Sequence, residues 1–345
     1  MIAAARIRRV PIHSVSACNP SELSLRAQSA TCVLLVRPAA FGYNIDTAAT
    51  NHFQRRADAG PQSLSAQART QFDALCAALE ASGVRTIVGE DSPEPAKPDA
   101  VFPNNWVSWH HDGTVVLYPM QPASRRPERR PELIEAVEQQ VGFRRRRLID
   151  LSEREQQGCY LEGTGSLVLD HPHGIAYACR SARTDEGLLA EWGRLLHYTP
   201  CVFDARSPDG SAPYHTNVML ALGTRWAIVC SAAIVPADRA RVLASLAASG
   251  RTLIDISQEA MQHFAANVLE VRAGAAADGR GGSDLSCHRQ VLVMSASAAA
   301  ALQAQERAWR ALRGCVDEVI AVDVSTIEHV GGGSVRCMLA EIFSV

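Results

Sequence analysis

The chain has 345 residues, 47% hydrophobic and 20% charged, close to ordinary globular usage, so a full core can be buried and global disorder is not expected. Its 34 basic and 36 acidic residues leave a net charge of −2, which gives no electrostatic case for nucleic acid or an anionic membrane surface. No stretch reaches the ~18 uninterrupted apolar residues of a membrane span, and ten cysteines without CxxC or paired spacing predict free, mostly buried thiols in a reduced, cytoplasmic setting.

Residues 1–30 carry Arg6, Arg8 and Arg9, one acid, Glu22, and no continuous apolar core, so they are not a clean signal peptide. They read as a flexible N-terminal extension, a disordered tail or a misplaced start codon, in preference to an organelle transit peptide. Residues 32–36 predict the first strand, ended by Pro38. Apolar spacing at Ala66, Phe72, Leu75 and Leu79 predicts a helix over 63–82 that stops before Gly83. A strand at 85–88 and a proline-rich loop at 92–103 follow, then a hairpin of 106–109 and 115–117 turning at Asp112-Gly113. The basic pairs Arg125-Arg126 and Arg129-Arg130 and the run 144–147 lack interleaved aromatics and read as solvated surface.

Residues 133–141 read as helix and 147–151 as extended. Strands at 166–169 and 175–179, a helix over 185–196 and a strand at 201–203 come next. Strands at 218–222 and 226–230, a helix over 237–248 and a strand at 252–256 repeat that order. Residues 273–286 are rich in Gly, Ala and Asp and predict a flexible loop; a strand at 291–294, one helix over 298–312 and a strand at 319–322 complete the series. The strand-strand-helix-strand rhythm recurs without sequence identity between copies. No linker with a change of composition divides it, so residues 31–345 read as a single domain. Units closing on a common axis would gather their loop ends at one central pocket.

Five segments could supply that pocket. In Gly331-Gly332-Gly333-Ser334-Val335-Arg336-Cys337, three glycines let backbone approach a ligand, and the cysteine precedes an apolar strand at 338–343. Arg336 beside it could help hold a thiolate; a buried structural cysteine is the plainer reading. Leu161-Glu162-Gly163-Thr164-Gly165-Ser166 reads as a turn presenting a carboxylate at a strand mouth, or as a plain exposed turn. Tyr214-His215-Thr216-Asn217 offers an acid/base histidine at a strand entrance, or a satisfied structural one. Asp99, Phe102, Asn104 and Asn105 put paired amides and an acid beside aromatics, which suits a ligand with several N–H groups; Asx turns among the prolines are the alternative. Arg183 can grip a carboxylate, while Thr184 or Asp185 can cap the next helix. The pairs His110-His111, His171/His173 and Cys287-His288 lack ligand spacing with a matching second pair, so no metal is expected. Neither GxxxxGK[ST] nor GxGxxG occurs, so no nucleotide cofactor is expected.

Taken in order, Val36-Arg37-Pro38 with Phe41 and Asn44, Phe102-Pro103-Asn104-Asn105-Trp106, Leu161-Glu162-Gly163-Thr164-Gly165, His215-Thr216-Asn217-Val218 and the segment ending in Cys337 resemble the guanidine-modifying superfamily. That superfamily includes arginine deiminases, dimethylarginine dimethylaminohydrolases, succinylarginine dihydrolases and amidinotransferases. The nearest resemblance is to arginine-deiminase-related citrulline-utilisation hydrolases, and it spans about residues 32–345. It implies an α/β fold, a fivefold pseudosymmetric propeller of ββαβ units. It also implies roles: Cys337 attacks a guanidino or ureido carbon, His215 shuttles protons, and Glu162 orients His215 or contacts substrate nitrogen. Arg183 would bind the amino-acid carboxylate or brace the pocket. Arginine deiminases carry aspartate where Asn105 and Asn217 stand here, and both carboxylates pair with a guanidinium; amides at these places favour a neutral ureido group, with Asp99 able to restore a charge. The expectation is a cysteine hydrolase that turns citrulline into ornithine, ammonia and carbon dioxide without a cofactor. A deiminase or dihydrolase of arginine or a derivative, an amidinotransferase and a non-catalytic binding protein of the same fold are the alternatives. The expected partner is a small amino acid, with self-association left open.

Overall fold

A computed structural model of the protein describes residues 26–274 and 288–343. Residues 1–25 of the expected extension and 275–286 of the expected loop lie outside the described residues.

Five three-stranded sheets follow one another along the chain. In the first, β1 (Cys32–Arg37) runs parallel to β2 (Arg85–Glu90), with helix α1 (Pro61–Ala81) between them. The second pairs β3 (Val107–Trp109) antiparallel with β4 (Thr114–Leu117); α2 (Pro131–Val141) then returns the chain to β5 (Arg147–Asp150), parallel to β4. The third repeats this with β6 (Val168–Asp170), β7 (Ile175–Cys179), α3 (Glu186–Leu196) and β8 (Thr199–Phe203). The fourth uses β9 (Leu220–Leu222), β10 (Trp226–Val229), α4 (Pro236–Ala248) and β11 (Thr252–Asp255). The fifth uses β12 (Leu269–Ala273), β13 (Arg289–Ser295), α5 (Ala296–Gln303), α6 (Glu306–Arg313) and β14 (Glu318–Val322). The last strand, β15 (Ala340–Ile342), pairs antiparallel with β1, Ile342 opposite Cys32, so it supplies the inner strand that the first unit lacks. This is the fivefold α/β propeller of ββαβ units.

The local sequence explains the layers. Middle strands are covered on both faces, and β10, Trp-Ala-Ile-Val, is buried throughout. The outer strand β11 is exposed at Thr252, Leu253 and Asp255 and buries Ile254 alone. Helix α1 lays Leu64, Ala68, Phe72, Leu75 and Leu79 against the sheets. Asp185 caps α3 by accepting from Leu188 N at 2.7 Å.

Four expectations need correction. The single helix expected over 298–312 is two, because Gln305 leaves helical geometry (φ −101°, ψ 73°) and its side chain accepts from Ser257 N. Strand β12 lies, but for Ala273, in residues 257–272, to which the sequence pattern assigns no element. Its Glu270 is buried, accepting from Ser29 Oγ, from Thr224 N and Oγ1, and from Trp226 Nε1. The turn at 163–166 and residues Val335–Met338 are single helical turns, so the strand expected over 338–343 is shortened to Ala340–Ile342. Finally, residues 26–30 of the expected flexible extension are packed: Ala30 is fully buried, and Gln28 bonds Leu169 O, His171 N and Arg251.

Candidate active site

One structural rule places the site. The segment just before each inner strand turns toward a common pocket of about 250 Å³, its open mouth included. Phe102 to Asn105 precede β3, Glu162 precedes β6, His215 and Asn217 precede β9, Asn267 precedes β12 and Cys337 precedes β15. Short 3₁₀ or α turns stand at four of these places, and Asn267 follows an irregular turn. Asp99, Phe102, Asn105, Arg125, Arg183, Tyr214, His215 and Cys337 line the pocket, with Gly331, Gly332 and Gly333, and with Thr47 and Asn51 from the segment after β1.

Close approach explains the glycines. A Cβ on Gly165 would lie 2.5 Å from Asn105 Nδ2 and 2.6 Å from His215 Nδ1; one on Gly333 would lie 2.9 Å from the Phe102 ring. The glycine segment is tied across the mouth: Asn51 Nδ2 donates to Gly331 O and Gly332 O, and Tyr214 Oη donates to Gly332 O at 2.6 Å.

His215 and Glu162 form the central pair, with His215 Nε2 2.8 Å from Glu162 Oε2 and both side chains buried. Burial lowers the His215 pKa to about 4, against the opposing pull of Glu162, so the ring is neutral at pH 7. Burial alone would raise Glu162, but the Arg183 guanidinium and the His215 hydrogen bond hold it down at about 2. An ionised Glu162 accepts from Nε2–H, which leaves Nδ1 as the lone-pair nitrogen. Nδ1 is buried, has no partner among the described residues, and belongs to a pocket-lining ring.

Cys337 Sγ faces amides. Asn217 Nδ2 lies 3.5 Å from it and Asn267 Nδ2 3.3 Å. Arg336 does not assist the sulfur as expected: its guanidinium turns away to Leu339 O and to Glu341 Oε2, each within 2.9 Å. Asn104, Glu162 and Asn217, all expected at the site, lie behind the residues that line the pocket: Glu162 holds His215, Asn217 faces the sulfur, and Asn104 accepts from Asn105 Nδ2 at 3.0 Å and donates to Thr164 Oγ1, so it braces Asn105 against the Glu162 turn. Arg183 donates to Thr50 Oγ1, Thr47 O and Glu162, and its guanidinium lies over the Tyr214 ring.

Thr47, Asn51, Arg125 and Asn267 carried no expectation of a place at the site. Arg125, expected on a solvated surface, is 2% exposed, held by Glu128 through two contacts of 2.8 and 2.9 Å, and donates to Asn105 Oδ1 at 2.8 Å. Nothing in its Arg-rich loop distinguishes it from its half-buried neighbours Arg126, Arg129 and Arg130. Asn267 had a usable signal: four units supplied a residue before their inner strand, and pseudosymmetry asks the fifth for one too. Among the described residues no group of three or more His, Cys, Asp or Glu could hold a metal ion. Nor, among them, is any helix long and apolar enough to cross a membrane.

Residues 37–344 match the profile of the family described as N,N dimethylarginine dimethylhydrolase, eukaryotic. The chain belongs to that family. With it, the chain is a guanidine-modifying superfamily hydrolase of carbon–nitrogen bonds other than peptide bonds. Solved structures share the fold at low identity. Apo ArgZ, an arginine dihydrolase from the ornithine-ammonia cycle in cyanobacteria, is 13% identical with a TM-score of 0.65, covering 91% of this chain and 41% of its own. An AgrE variant in complex with L-arginine is 16% identical (TM-score 0.66), covering 91% and 40%. DDAH from Pseudomonas aeruginosa, a mutant complexed with citrulline, is 16% identical (TM-score 0.57), covering 90% and 99%. The chain thus spans less than half of the full ArgZ and AgrE chains. No curated protein is a significant sequence match.

Proposed function

We propose that residues 31–345 act as one catalytic unit in which Cys337 hydrolyses the ureido group of citrulline, or of a close relative, to ornithine, ammonia and carbon dioxide. The neutral side chains around the sulfur carry the reading. The groups hydrogen-bonded to Cys337 Sγ are the amides of Asn217 and Asn267. Of the nearby carboxylates, Glu128 is paired with Arg125 at 2.8 Å and Glu162 faces Arg183 at 3.3 Å, while Asp99 lies 3.8 Å from Arg125. A ureido group adds no charge beside the sulfur and matches amides that both donate and accept. Two pocket-lining arginines suit the α-carboxylate of an amino acid, and the unpartnered Oδ1 of Asp99 suits its α-amine.

The chemistry follows from these groups. The Cys337 proton passes to His215 Nδ1 as the Sγ–C bond forms at the ureido carbon. A C–N bond breaks and the leaving nitrogen takes that proton. Neutral His215 then draws a proton from water, whose oxygen adds to the same carbon. The C–S bond breaks and the sulfur is restored. Once the second nitrogen leaves, the ureido carbon departs as carbon dioxide, so one water is consumed overall. Glu162 stabilises the imidazolium while His215 carries the proton.

The family match and the free oxygen of Asp99 favour a second reading, hydrolysis of arginine or a methylated arginine. Incubation with citrulline, arginine and dimethylarginine, with Cys337→Ser as control, separates the two. Ornithine from citrulline, absent in the variant, supports the first. Citrulline from arginine or dimethylarginine, with citrulline itself inert, replaces it by the second.

A further inference from the structure

We propose that Asn217 and Asn267 form a two-amide cradle that stabilises negative charge on the Cys337 sulfur as its proton leaves, an inference that rests on Cys337 being the nucleophile. Each side-chain nitrogen has two hydrogens and spends one on a backbone carbonyl. Asn217 Nδ2 donates to Thr164 O at 3.2 Å, and Asn267 Nδ2 donates to Asn217 O at 3.1 Å. Carbonyl oxygens only accept, so these two bonds fix which end of each amide is nitrogen; a flip would set oxygen against oxygen. The second hydrogen of each is left for the sulfur, 3.5 and 3.3 Å away, while the amide oxygens stand farther off at 3.9 and 3.6 Å.

The cradle fills a chemical gap. A guanidinium substrate would bring a cation to the sulfur and favour the thiolate; a ureido substrate brings none. Arg336, the nearest cation in sequence, points elsewhere. The titratable groups that share the pocket with the sulfur are Asp99, Arg125, Arg183, Tyr214 and His215. None of them has a hydrogen bond to it among the described residues. Asn217 and Asn267 are 1% and 0% exposed, so water does not compete for their N–H groups. Asn267 is rigidly placed, because its own carbonyl accepts from Arg336 N in the nucleophile turn.

The test is alkylation of the substrate-free enzyme by iodoacetamide, read at Cys337 by peptide mass spectrometry across pH. Asn267→Leu should react about tenfold more slowly than wild type at pH 7, and the gap should close in strong alkali, where the sulfur is ionised in both. Asn267→Asp, a near-isostere bearing a like charge, should be slower still at pH 7. Asn217→Ala reads the other arm, and Asn267→Ala replaces the leucine variant should that one fail to fold. Rates that match wild type, or that fall equally at every pH, overturn the cradle and leave Asn267 a packing residue. Failure of the nucleophile assignment looks different: Cys337→Ser would then keep its turnover.

Discussion

Two sets of buried ionisable groups differ in their partners. Two carboxylates that reach the ends where β6 and β9 finish are saturated. Asp170 accepts two bonds from Arg251 and two from His173, and Glu270, beside the β9–β10 turn, accepts from Ser29, Thr224 and Trp226. In the pocket, His215 Nδ1 and Asp99 Oδ1 are buried with no partner among the described residues. An unmade bond in a buried site is costly, so it persists where a ligand or a reacting proton completes it. The saturated carboxylates therefore serve stability, and the open pocket groups are left for chemistry.

Variants can break that contrast in turn. Cys337→Ser should remove turnover by on the order of 10⁴-fold or more with an unchanged unfolding transition, since it leaves a near-isostere at a site built for reaction. His215→Asn should cost on the order of 10³-fold in kcat, also with the fold intact, as measured by steady-state kinetics beside thermal melting. Asp170→Asn should show the reverse pattern. Leaving Arg251 half-paired at this saturated carboxylate should cost about 3 kcal/mol in denaturant unfolding, with kcat of the folded enzyme near wild type.

A subtler effect sharpens the comparison. The unfolded chain takes a proton on His215 near 6.5, whereas the folded site refuses it until about pH 4. The folded pKa is the lower one, so this contribution to stability is complete above 6.5 and is lost as pH falls toward 4. His215→Asn should flatten that part of the acid-stability curve, and wild-type kcat/KM should fall on the acid side near pH 4 rather than near 6.5.

The sequence revealed the fivefold rhythm because apolar strands and amphipathic helices alternate with little interruption. It singled out Cys337, His215 and Glu162 as candidates because glycines and strand entrances flag them. It hid Arg125, whose burial depends on Glu128 and Asn105 arriving from around it, and it hid β12, where a buried Glu270 looks like surface charge. The helical break at Gln305 was equally invisible, since its cause, a bond to Ser257 N, is far away in sequence. Asn267 has no local motif of its own, and only the pseudosymmetry of the five units marks it, as the residue ahead of the fifth inner strand.

The most direct test of the central claim is the ratio of kcat/KM for citrulline to that for arginine, measured on one preparation at pH 7. A sulfur whose hydrogen-bonding neighbours are the neutral amides of Asn217 and Asn267 predicts at least a tenfold preference for citrulline, with ornithine as product. A preference for arginine, with citrulline as product, would contradict it and show that the pocket finds a partner for a guanidinium after all.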